Sequence, residues 1–196
     1  MMLDDAELDA VADGHALVRD GLLGELPAQD AARASVAHAK GLRDATVGRS
    51  RRLDRGVRTD QISWIEGDVD PRFSPLLALF EALRGELNAR AYLGLTRTEV
   101  QLGRYAMGGS YARHCDAFAG GPGRVITAIW YANPEWQAAH GGRLRVWDPE
   151  QRDVEPLLDR LIVFRSDCVQ HEVQLCNSER FAITAWYTPR GSQSRA

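Results

Sequence analysis

Cysteine is scarce in this chain. Cys115, Cys168 and Cys176 are the only three in 196 residues, an odd number that cannot build a disulfide framework. Their presence as free thiols points to a reducing compartment, and the expected location is cytoplasmic. Long apolar runs are also missing: stretches such as 76–80 are far too short to cross a bilayer. The acidic start, MMLDDAE, has neither the basic region nor the apolar segment of a signal peptide. No sign of charge dominates. A net charge of -3 gives no general attraction to nucleic acid or to an anionic membrane, so neither is expected as a partner. Internal repeats and low-complexity segments are absent. What remains is an ordinary globular composition, 44% hydrophobic and 26% charged, long enough to bury a core and expected to form a single domain over residues 1–196.

The pattern changes near residue 95. Before it, helical signals dominate: a short helix over 4–12 capped by Asp4 or Asp5, an alanine-rich helix over 30–41 stopped by Gly41, and a longer one over 75–92. In the last of these Ser74 is placed to cap, Pro75 to open the first turn, and Leu76, Leu79, Phe80, Leu83 and Leu87 to form one buried stripe; Gly94 is placed to end it. Residues 15–20 read as a strand and 21–24 as a turn. From Thr98 onward short β-rich runs alternate with glycine and proline: 99–105, 111–115, 124–132, 143–147, 161–164, 171–175 and 180–187. The expected class is α+β, mainly β, with a double-stranded β-helix (jelly roll) core over about 98–188 and helical support over about 1–95. Between Arg43 and Arg58 lie six arginines with little apolar content. A solvated surface loop is the plain reading and a flap over a substrate site the functional one. No aromatics interleave these arginines, which weakens a nucleic-acid reading.

Two strings carry chemistry: YARHCD at 111–116 and HEVQLCNSER at 171–180. His114 and Asp116, two apart on a strand, share a face. With His171 they make the two-histidine, one-carboxylate set that holds Fe(II) on one side and leaves positions open for reaction. Zn(II) fits the ligands alone, but leaves Arg180 unexplained. Arg180 opens an otherwise apolar strand, RFAITAWY at 180–187, in which residues 180, 182, 184 and 186 share one face. A guanidinium entering such a strand needs an anion, either a protein carboxylate or the far carboxylate of a bound oxo-acid, 2-oxoglutarate. Tyr131 and Thr184 each offer that carboxylate a hydroxyl.

Together with RTDQISWIE at 58–66, RVITAIWY at 124–131, GGRLR at 141–145 and DRLIVFRSD at 159–167, these strings make a chain that resembles the prolyl 4-hydroxylases of the hypoxia-inducible-factor (egl-nine) type, particularly the smaller bacterial members. The likeness runs over about residues 14–188, and WIEG at 64–67 and HEVQ at 171–174 are its most specific parts. The resemblance implies that His114, Asp116 and His171 hold the iron. It implies that Arg180 and Tyr131 hold the far carboxylate of 2-oxoglutarate, and that Tyr105 lies by its iron-bound end. Leu144, Val173 and Thr184 match pocket-lining positions. Tyr111 and Trp186 match positions beside the target proline, with Arg113 adjacent in sequence, and Asp60 matches an aspartate near a substrate-covering loop. For Tyr111 and Trp186 an ordinary place in the core is the competing reading. Cys115 and Cys168 are expected to be buried bystanders. Gln101 departs from the pattern, standing where the family has an apolar pocket residue.

The activity implied is 2-oxoglutarate- and Fe(II)-dependent hydroxylation of a prolyl residue at its 4-position, using O2, releasing succinate and CO2, and sustained by ascorbate as reductant. The expected partner is a proline-containing protein or peptide, with elongation factor Tu a candidate. Two alternatives stay open: an oxygenase of this fold acting on a free amino acid or small molecule, and a non-catalytic metal-binding sensor.

Overall fold

In the computed structural model, which describes residues 2–46, 52–67, 69–117 and 123–191, local chemistry sets the helix ends. Helix α1 (Asp5–Ala12) opens on a reciprocal cap: the Glu7 amide donates to Asp4 (2.9 Å) and the Asp4 amide to Glu7 (2.8 Å). Helix α2 (Glu25–His38) starts five residues before the expected point, from Gly24 at φ 81°. Pro27 masks this start in the sequence, yet a proline in the first turn is tolerated because its missing N–H would have no partner there anyway. Helix α3 (Ser74–Ala91) buries Leu76, Phe80, Leu83 and Leu87, whereas Leu79 is only partly covered. Ser74 does not cap it. The chain enters through a 3₁₀ turn, Pro71–Phe73, capped by Asp70, and leaves at Tyr92, which itself takes the left-handed conformation expected of Gly94 (φ 54°).

Among the described residues, eleven strands form two antiparallel sheets. The larger contains β1 (Leu17–Asp20), β2 (Arg43–Asp44), β3 (Gln61–Trp64), β4 (Leu95–Tyr105), β6 (Ile126–Tyr131), β9 (Arg160–Arg165) and β11 (Arg180–Pro189), in the order β1-β9-β6-β11-β4-β3-β2. The smaller contains β5 (Tyr111–His114), β7 (Leu144–Trp147), β8 (Gln151–Val154) and β10 (Gln170–Val173), in the order β5-β10-β7-β8. This is the expected jelly roll. Strands β2, β3 and β8 were not anticipated, being short and polar, with pairing supplied by neighbours rather than by their own pattern. The expected turn at 120–123 lies mostly outside the described residues.

Alternation along β11 divides the core. Phe181, Ile183, Ala185 and Tyr187 face the helices, packing with Leu76, Phe80, Leu83 and Leu87; the Tyr187 hydroxyl donates to the Phe80 carbonyl (3.0 Å). Ala182 faces the smaller sheet, packing with Tyr131, Leu144, Val146 and Val173. Each buried aliphatic side chain contributes roughly 1.5–3 kcal/mol, so the helix layer holds the large sheet from behind while its other face stays available for a site. No described helix is long and apolar enough to cross a membrane.

Candidate active site

Strands β5 and β10 pair with His114 directly opposite His171, and Asp116 follows just beyond β5. The possible ligand atoms of the three side chains all lie within 4.8 Å of one another. Each imidazole is fixed from behind. His114 Nδ1 lies 2.8 Å from the Ala112 carbonyl and His171 Nδ1 3.2 Å from that of Val169, so both Nδ1 atoms carry the proton and both Nε2 lone pairs are free. Asp116, 8% exposed, accepts at Oδ2 from the Thr127 hydroxyl (2.8 Å) and the Trp186 indole (3.0 Å). Its Oδ1 lies 3.6 Å from His114 Nε2. Burial opposes the Asp116 charge, but His171, His114 and Arg124 outweigh it and hold the carboxyl well below its ordinary range. Burial pushes His171 down to about 4, against the pull of Asp116, so it stays neutral and able to bind metal. Two imidazoles and one ionised carboxylate converging on one point fit a divalent ion.

The other end of the cavity is cationic. Arg180 is 1% exposed, and its Nε donates to the Gly142 carbonyl (2.8 Å). Its guanidinium lies 5.1 Å from the Tyr105 ring centre and 5.0 Å from that of Tyr131. No described carboxylate pairs with it, which removes the plain reading of a structural ion pair. Tyr131 is fully buried, its hydroxyl has no hydrogen-bond partner of good geometry among the described residues, and burial pushes it up to about 12, so it is a donor at neutral pH. A buried cation beside an orphaned hydroxyl is a receptor for an external anion such as a carboxylate. Cavity and receptor therefore fit an oxo-acid with a second carboxylate.

Between these ends lies a shared pocket, bordered both by the metal-ligand cluster and by Arg180. Leu144, Val173 and Thr184 line it, as do Tyr105, Tyr111, Asp60 and Trp186. Tyr111 stacks on His114 at 3.7 Å, and neither it nor Trp186 is a mere core aromatic. Arg113 is not brought to the pocket. It is exposed, with its guanidinium 3.8 Å from the Trp147 ring centre. Three residues of the site, one lining the cavity and two behind its walls, escaped the sequence reading. Arg58, last of the arginine-rich stretch, is no solvated loop residue: it lines the pocket, donates to Asp60 (2.7 and 2.5 Å) and lies 4.4 Å from the Tyr111 ring centre. Arg124 lies 3.7 Å over Trp186, and Thr127 orients Asp116. Contacts between distant strands make these roles, so only the paired sheet reveals them. Residues 47–51 of that stretch lie outside those described. The bystander cysteines are less buried than expected: Cys168 is exposed in the turn after β9 and Cys115 half-buried, while Cys176 is the buried one.

The model of the 2OG-Fe(II) oxygenase superfamily matches residues 100–188. Human prolyl hydroxylase EGLN3 is 38% identical over 183 residues, covering 86% of this chain and 76% of that protein. The crystal structure of a Pseudomonas putida prolyl-4-hydroxylase superposes with a TM-score of 0.85 at 31% identity, covering 94% of this chain and 98% of that one. A Trichoplax adhaerens prolyl hydroxylase, solved in complex with a peptide fragment of the hypoxia-inducible-factor oxygen degradation domain, superposes at 0.86. Its 23% identity, over 95% of this chain and 91% of that one, shows the shared fold.

Proposed function

This chain belongs to the 2OG-Fe(II) oxygenases and, among them, to the egl-nine type of prolyl hydroxylase, and from that membership we propose its particular reaction: hydroxylation of a prolyl residue at C4 within a protein substrate. It is a 2-oxoglutarate-dependent dioxygenase acting on proline. The proposal takes residues 1–196 as one oxygenase domain. The observation that carries it is the pairing, within one pocket, of the His114, Asp116 and His171 cluster with an unmatched Arg180 at the far end.

In this reading His114, Asp116 and His171 hold Fe(II), and Arg180 and Tyr131 hold the far carboxylate of 2-oxoglutarate. When bound, the iron supplies activation of O2 with oxidative decarboxylation of 2-oxoglutarate to succinate and CO2. The protein's part is placement. Thr127 and Trp186 fix the Asp116 carboxylate, and the backbone carbonyls of Ala112 and Val169 fix the two imidazoles. Arg180 and Tyr131 set the direction in which the oxo-acid lies, and Leu144, Val173 and Ile129 keep water from its chain. Tyr111 and Trp186, with Asp60 and Arg58 beside them, form the rim at which a prolyl ring would lie. Ascorbate is the proposed reductant for stalled iron. The cytoplasm is the proposed compartment, which the three unpaired cysteines fit.

A protein substrate is favoured over a free amino acid by the relatives, one of which was solved with a peptide. Elongation factor Tu is the proposed candidate because the chain resembles the smaller bacterial members. The test is to incubate the Fe(II)-loaded protein with 2-oxoglutarate, ascorbate and proline-containing peptides, one drawn from elongation factor Tu. A peptide that gains one oxygen on proline supports the reading. Oxygen gained by free proline and by no peptide would replace the protein substrate with a small molecule, and inert iron-loaded protein would favour a sensor.

A further inference from the structure

We infer that Gln101 is a co-substrate-binding residue whose side-chain amide donates a hydrogen bond to the carboxylate at the oxo end of 2-oxoglutarate. This rests on the function proposed above and adds a residue to it.

The paired strands arrange the pocket in layers. Along β4 and β11, Tyr105 lies opposite Arg180, Gly103 opposite Ala182, Gln101 opposite Thr184, and Glu99 opposite Trp186. Strand β6 adds Tyr131 beside Ala182, Ile129 beside Thr184 and Thr127 beside Trp186. The Trp186 layer is the metal end, because Trp186 and Thr127 both hold Asp116. Gln101 lies one layer below it, and Arg180 two layers below Gln101. A layer is two residues, about 6–7 Å along a strand. The amide is therefore nearer the metal ligands than the guanidinium.

Gln101 is 7% exposed and lines the pocket, and no described residue hydrogen-bonds its side chain. Thr184 and Ile129 share its layer, and Leu144 and Val173 line the pocket with it, yet none of them bonds the amide. An amide that faces the pocket with no protein partner keeps its hydrogen-bonding capacity for an occupant. An oxo-acid whose tail carboxylate is at Arg180 presents its head in this layer. When the head chelates a metal, one oxygen of its carboxylate stays free to accept. The amide Nε2 is a donor of the right kind, whereas the side chains of Ile129, Leu144 and Val173 are not.

The test measures binding of 2-oxoglutarate to the Mn(II)-loaded protein by calorimetry, which needs no turnover, for the wild type and for Gln101→Met, which keeps the length and removes the donor. The expected result is a Kd for 2-oxoglutarate raised about tenfold, as for loss of a hydrogen bond to a charged group, with the Kd for Mn(II), the peptide KM and the Tm unchanged. Gln101→Glu keeps the shape and polarity and brings two carboxylates together, so it should weaken binding further, and it serves if the methionine variant melts early. An unchanged Kd for 2-oxoglutarate in both variants, or a peptide KM that rises while that Kd does not, overturns the inference. Wild-type Mn(II) protein that binds no 2-oxoglutarate would instead overturn the function beneath it.

Discussion

The two ends of the pocket solve opposite problems with the same material, buried polar side chains. At the metal end nearly every group is already satisfied: both imidazoles are backed by carbonyls and Asp116 accepts from Thr127 and Trp186. At the far end, among the described residues, Arg180 makes one bond of good geometry, to a backbone carbonyl, and the Tyr131 hydroxyl none. A metal needs ligands aimed before it arrives, since small errors in direction cost affinity. An organic anion needs unspent donors, since bonds already made within the protein would compete with it. Preorganisation at one end and unsatisfied capacity at the other are what let a single cavity take both.

The sharpest break in this comparison comes at the metal end itself. Asp116→Ala removes the only anionic ligand of the cluster, and hydroxylation should fall to background; turnover close to wild type would show that the cluster does not hold the iron. At the other end, Arg180→Ala leaves the ligands untouched. The KM for 2-oxoglutarate should rise about ten- to a hundredfold, the worth of a charge-assisted pair, while metal affinity stays constant, as titration with Mn(II) would read. Thr127→Val tests aim rather than ligation. Metal affinity should fall about tenfold, the usual effect of losing an outer hydrogen bond to a ligand, with 2-oxoglutarate binding to the metal-saturated protein unchanged. Tyr131→Phe should have the smallest effect, about a threefold rise in the KM for 2-oxoglutarate, because a neutral hydroxyl adds less than a guanidinium. If Tyr131→Phe exceeded Arg180→Ala, the roles at that end would be reversed.

Acid separates the ends as well. His171 has its folded pKa lowered to about 4 from an unfolded value of 6.5, so the unfolded chain binds more protons between those values. Stability of the metal-free protein should therefore fall as pH drops through that window, seen as a decline in Tm. Asp116, held low, adds its own loss only below about pH 4. Bound metal, which excludes protons from His171 in the folded state, should raise the Tm at neutral pH and steepen its decline in acid.

The sequence made the ends of the pocket legible and its walls much less so. His114, Asp116, His171 and Arg180 stand out because their types are costly to bury without purpose and their spacing matches strand geometry. Thr127, Arg124 and Arg58 do not stand out, since their roles arise only when β6, β5 and β11 come together. Gln101 was visible as an oddity whose position beside Thr184 required the register. In the fold, the alternation of β11 was readable residue by residue. The start of α2 was hidden by Pro27, and β8, whose residues are Gln151, Arg152, Asp153 and Val154, has no hydrophobic pattern to read.

The central claim is that the two ends act on one molecule to oxidise one proline. Its most direct test counts products: succinate released and hydroxyproline formed, measured together by mass spectrometry while the wild type consumes 2-oxoglutarate with its peptide. Equal amounts are expected, with both falling together in Arg180→Ala at limiting 2-oxoglutarate. Succinate formed without hydroxyproline, at a rate the peptide does not change, would contradict it.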